Sequence, residues 1–147
     1  MRSRNLFGIA LLVAVVFAAG NLFAAGSPVG TWKTISDKTK KPASIVKIWE
    51  KDGKLYGKII KLFNDPDAKC TACNGKFKDK PITGMVFMWG FKKDGDVFNG
   101  GKILDPDSGK IYNCKMEVVN GGKVLNVRGS LDRWGLAGRT QKWLKEN

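Results

Sequence analysis

The residues of this chain able to do more than pack are few. Cys70 and Cys73 form a Cys-Thr-Ala-Cys pair, Cys114 stands alone, and the chain contains no histidine. Three chemistries fit the pair. The first is a disulfide staple, favoured by an oxidising compartment and by the short spacing, and it would close too small a ring to constrain the unfolded chain much. The second is redox exchange, which needs a helix N-terminus to lower one thiol pKa, and the surrounding residues carry no helical pattern. The third is zinc, which needs four ligands and would have to borrow Asp65 or Asp67 in the absence of a second Cys/His pair. The staple is the simplest of the three.

Elsewhere the options narrow quickly. Asp105-Pro106-Asp107-Ser108-Gly109 opens like a calcium loop, yet Met116 stands where that loop needs its bidentate Glu. Asp and Pro at the head of a turn with Gly at its end explain the segment without a metal. Lacking histidine, the chain has no imidazole acid–base chemistry, and it has neither a serine elbow nor a phosphate-cradling glycine motif. It is therefore read as a non-enzyme, with no catalytic residue, no metal and no cofactor.

The elements that hold these residues are strands. From Val29 onward the apolar residues recur every second position. Strands are predicted over 30–36, 43–50, 55–63, 84–93, 97–104, 110–119, 123–131 and 138–145. Short turns rich in Gly, Asp and Asn separate them, with Lys51-Asp52-Gly53 the strongest hairpin signal. Gly100-Gly101 marks a bulge or bend inside the fifth strand. One long irregular segment, 64–81, carries the cysteine pair. Eight strands joined mostly by short turns predict an all-β, antiparallel up-and-down barrel, because closure removes exposed edges.

Alternation then nominates the barrel's interior. Met85, Phe87, Trp89 and Phe91 form an apolar stripe on the fourth strand. Tyr112, Cys114, Met116 and Val118 share one face of the sixth, which makes Cys114 a small buried side chain. Of these, Met85, Phe87, Trp89, Phe91, Tyr112 and Met116 are the candidate ligand-cavity residues. An eight-stranded barrel is wide enough to be filled by side chains or to hold one small ligand. At the ends of the chain, Trp32 and Arg139 are expected to form a plug by cation–π stacking.

The chain opens with Arg2 and Arg4, then an apolar run from Leu6 to Ala19, then small residues through Gly26. A run of about 14 apolar residues is short for a membrane span and matches a secretory signal peptide over 1–25, cleaved after Ala25 or Ala24, with Gly20 as the alternative site. The barrel domain then occupies 26–147, in a periplasmic or otherwise exported setting. Lys and Arg number 26 against 13 Asp and Glu. A basic exported domain concentrates near anionic lipid or cell-wall polymers, and export removes it from nucleic acid.

Spaced motifs along the chain resemble a bacterial exported family, domain of unknown function 2147. They are Gly30-Thr31-Trp32, Val46-x-Ile48, Asp52-Gly53-Lys54-Leu55-Tyr56-Gly57-Lys58-Ile59, and Cys70-x-x-Cys73-x-Gly75. They continue as Pro81-x-x-Gly84-Met85, Gly100-Gly101-Lys102-Ile103-Leu104-Asp105-Pro106, Gly109-Lys110-x-Tyr112, Arg128-Gly129 and Gly138-Arg139-Thr140-Gln141-x-Trp143. The resemblance implies a lipocalin-like (calycin) barrel of unestablished activity, and it places Trp32 and Arg139 at the plug. The expected function is binding of a small apolar or amphipathic, lipid-like molecule. Two alternatives stay open: a thiol or metal protein acting through Cys70 and Cys73, and a basic protein docking on anionic envelope surfaces.

Overall fold

The structure is a computed structural model and describes residues 26–147. The predicted signal segment, 1–25, lies outside the described residues. Eight strands run in order: β1 Gly30–Ile35, β2 Pro42–Lys51, β3 Lys54–Leu62, β4 Val86–Asp94, β5 Val97–Leu104, β6 Ile111–Val119, β7 Val124–Ser130 and β8 Gly138–Lys145. Each pairs antiparallel with the next, and β8 returns to β1, so the sheet is a closed barrel. The seam is short, pairing Trp32 with Lys145 and Lys33 with Leu144. It is extended by an ion pair from Lys33 to Glu146 at 2.8 Å.

Turn chemistry sets the meander. Between β2 and β3, Asp52 and Gly53 both take positive φ (52° and 74°). That is the backbone of a two-residue hairpin whose twist matches its strands. Asp105 shapes the β5–β6 turn, its carboxylate accepting from the Asp107 amide at 3.0 Å and the Ser108 hydroxyl at 2.7 Å. That carboxylate is spent on its own turn.

Large side chains fill the barrel. Trp32, Trp143, Phe91, Met88, Met116 and Leu125 are fully buried. Gly101 makes room for one of them: a Cβ there would fall inside the Phe91 ring. The bulge expected at Gly100-Gly101 is present as a register shift in the β5–β6 ladder between Phe98 and Gly101.

The two poles are closed differently. At the first, residues 26–29 pass across the barrel's end from β1 toward β6, where Gly26 abuts Val118. Pro28 is fully buried there, and its carbonyl accepts from the Trp32 indole N–H at 2.7 Å. At the second, the segment between β3 and β4 folds into a compact loop with a 3-10 turn at Gly75–Phe77. Its limbs are tied by the Lys69–Pro81 bridge and by the Cys70 amide donating to the Lys80 carbonyl at 2.8 Å.

Candidate functional site

Strict alternation fails on β4. Leu55 pairs with Phe91, Gly57 with Met88 and Lys58 with Val86. The residue spacing on β4 therefore exceeds that on β3 twice, which requires an extra residue at each shift. The side-chain direction changes accordingly. Phe87 and Met88 are both buried, and Phe91 remains inward. Trp89 turns outward, opposite the exposed Lys102, and stacks on Phe77 of the loop with ring centres 5.9 Å apart. Trp89 is thus not a cavity residue, and Met88, absent from the predicted stripe, takes a place inside. Gly90, with φ of 83° inside a strand, was the signal that the period would break.

The other nominated residues sit in the barrel interior, where most serve as packing. Phe87 stacks on Trp143 with ring centres 6.3 Å apart. Met116, Phe91 and Met85 are all buried. Tyr112 is half-buried on the inward face, opposite Ile103 and over Gly129. Large buried side chains thus occupy much of the cup, and Tyr112 on the inward face stays partly open.

The predicted plug also needs correction. Arg139 does not cover Trp32. It is 73% exposed at its side chain and pairs with Asp37 at 3.3 Å. Lys145 takes the role instead, its Nζ lying 4.6 Å from the centre of the Trp32 ring. The reason is strand direction. Trp32 lies near the start of β1, and its antiparallel partner on β8 is Lys145, near the end of that strand. Arg139, six residues back along β8, is displaced toward the opposite pole by about 20 Å at the rise of an extended strand.

Cys70 and Cys73 form the disulfide, and both are buried. A Cys70 sulfur sits 3.4 Å from the Pro106 carbonyl oxygen, so the staple docks the loop on the β5–β6 turn. Gly109 lets the two segments meet, since a Cβ there would overlap the Ala72 carbonyl. Sulfurs that are buried and bonded to each other have the geometry of a staple. Cys114 is buried, and burial pushes its thiol up to about 12.

Two hollows lie on the barrel's flanks. One, of about 320 Å³, opens beside the stapled loop and is lined by Phe77, Lys80, Pro81, Thr83, Gly84 and Met85. Its wall is mainly apolar, and Lys80 is the basic residue among those lining it. Of the residues nominated from the sequence only Met85 reaches it. Phe77 and Pro81 were hidden in a segment without periodicity. The second hollow, of about 190 Å³, lies under the β7–β8 loop and is bordered by Asn113, Lys115, Arg128 and Trp134. The loop is folded back there because Arg128 donates from Nε (2.8 Å) and Nη2 (2.6 Å) to the Gly135 carbonyl.

The chain belongs to the family of uncharacterized proteins conserved in bacteria known as domain of unknown function 2147, whose model matches residues 30–145. Its fold is similar to that of a solved structure described as protein HP1028 from the human pathogen Helicobacter pylori, which belongs to the lipocalin family. The TM-score is 0.74 at 26% sequence identity, covering 82% of this chain and 84% of that one. No curated protein matches this chain.

Proposed function

We propose that this chain is an exported, non-enzymatic binder of a small amphipathic molecule, seated beside the stapled loop rather than in the barrel's centre. The observation carrying this reading is the apolar hollow of about 320 Å³ formed by Phe77, Pro81, Gly84 and Met85 with Lys80 at its side. That volume falls at the lower end of what small-molecule sites use, and one cation among apolar walls suits an acyl chain with an anionic head. The lipocalin-like barrel supports small-ligand binding by analogy of fold, and the hollow is the position we assign to it. Trp89 lies against Phe77 and so provides a built-in reporter. Export rests on the basic and apolar pattern of the first 25 residues.

Titration of the folded domain with a medium-chain fatty acid and its alcohol tests the reading. Saturable one-to-one binding is expected, with a change in tryptophan emission that is lost in Trp89→Phe. Lys80→Ala should weaken the acid by about tenfold, the worth of one charge-assisted contact, and leave the alcohol unchanged. Absence of saturable binding, together with no amphiphile in native mass spectra of the purified protein, would refute it.

A further inference from the structure

The β7–β8 loop shows its apolar residues to solvent. Leu131 is 70% exposed, Trp134 77% and Leu136 83%. Large apolar side chains clustered on one loop are unusual on a protein surface that has no partner for them. This display is built rather than loose. Asp132 accepts from the amides of Trp134 and Leu136, each at 3.0 Å, and from that of Ala137 at 2.6 Å. Arg128 holds the Gly135 carbonyl from below. The loop backbone is therefore shaped from within, with the three side chains left exposed.

Charge surrounds the cluster on one side. Arg133 lies over the Trp134 ring at 5.7 Å. Arg139 follows on β8, and its ion pair with Asp37 ties in the β1–β2 turn, which carries the exposed Lys38, Lys40 and Lys41. The two acids nearest the cluster, Asp132 and Asp37, are already engaged. Asp132 is occupied by backbone amides, which hold its carboxyl below the usual range, and Asp37 accepts from Arg139 and from Gln141 at 2.8 Å. Three apolar tips, with Arg133 and the exposed Lys38, Lys40 and Lys41 on the same pole, match the layers of an anionic bilayer surface, with indole and leucines at the acyl boundary and cations among the phosphates. A second copy of the chain fits less well, because the same cations would face each other.

We propose that the loop 131–137 is a membrane-interfacial anchor that inserts Leu131, Trp134 and Leu136 into an anionic phospholipid surface. The site is separate from the amphiphile hollow, so either reading can fail alone.

Residues 26–147 contain the whole closed barrel and are the form to test. They should float with vesicles of equimolar phosphatidylglycerol and phosphatidylcholine, and bind pure phosphatidylcholine about tenfold or more weakly. Brominated lipid should quench part of the tryptophan emission, and Trp134→Phe should remove that part. The triple variant Leu131→Ser, Trp134→Ser, Leu136→Ser should lose about tenfold or more in anionic-vesicle binding at unchanged thermal midpoint. Trp134→Ser alone, at a side chain already in water, should lose a smaller share. Equal binding by wild type and triple variant would overturn the proposal, as would indifference to lipid charge. A dimer in sedimentation that the triple variant dissolves, with vesicle binding unaltered, would assign the loop to self-association instead.

Discussion

Lys145 Nζ stands 4.6 Å from the centre of the Trp32 indole, whose own N–H is held by the Pro28 carbonyl at 2.7 Å. The last strand thus caps the first, and the segment before β1 caps both. One pole of the barrel is closed by residues from the two ends of the folded domain, so its stability depends on contacts far apart in sequence.

Removing the Lys145 ammonium should therefore cost more than removing the Arg139 guanidinium. Lys145→Met is expected to lower unfolding free energy by about 0.5–1 kcal/mol, the worth of a partly exposed cation–π contact. Arg139→Ala loses an exposed ion pair to Asp37, for which double-mutant measurements on similar pairs give about 0–1 kcal/mol. Urea unfolding of both variants checks the order, and a larger loss in Arg139→Ala would make the Asp37 pair the stronger of the two contacts.

Gly101 should tolerate no side chain. An alanine Cβ would overlap the Phe91 ring, and overpacking of this kind costs about 1–3 kcal/mol. Shortening Phe91 to Leu in the Gly101→Ala background should recover part of that loss, whereas Phe91→Leu alone destabilises. A double-mutant cycle in thermal unfolding reads the coupling, and additive losses would show that the two residues do not share space.

The staple should matter locally. Replacing Cys70 and Cys73 together by Ala is expected to remove about 2 kcal/mol, since the ring closed is small. The larger effect should appear in the loop, where amides of 69–82 gain hydrogen exchange and the Phe77–Trp89 stack loosens. Exchange confined to that loop, with the strands still protected, is the expected pattern, and global loss of protection would make the disulfide a support for the whole barrel.

Cys114 should be inert in the folded protein. Burial pushes its thiol up to about 12 from an ordinary value of 9.0, so the folded state holds the proton more tightly than the unfolded one. Stability from this group is therefore complete below pH 9.0 and falls as pH rises from there toward 12. A thiol reagent at neutral pH should label it only after denaturation, and Cys114→Ala should flatten the alkaline decline in unfolding free energy.

All eight strands, the Asp52-Gly53 hairpin, the bulge at Gly101 and the inward face through Cys114 and Met116 could be read from residue order. Each is local: a period of two, a turn needing positive φ, a glycine where a ring comes close. Closure of β8 on β1 could also be read, because a meander of that length leaves few other ways to remove its edges. What depended on register could not. A shifted pairing against β3 turned Trp89 outward and brought Met88 in, and the antiparallel run of β8 gave Trp32 the cation at 145 rather than 139. Register is the sum of contacts made across strands, and no short window of sequence contains it. The hollow beside Phe77 and the exposed triad of the β7–β8 loop belong to the same class. Both arise where aperiodic segments settle against a finished wall, held by a buried disulfide in one and by Asp132 and Arg128 in the other.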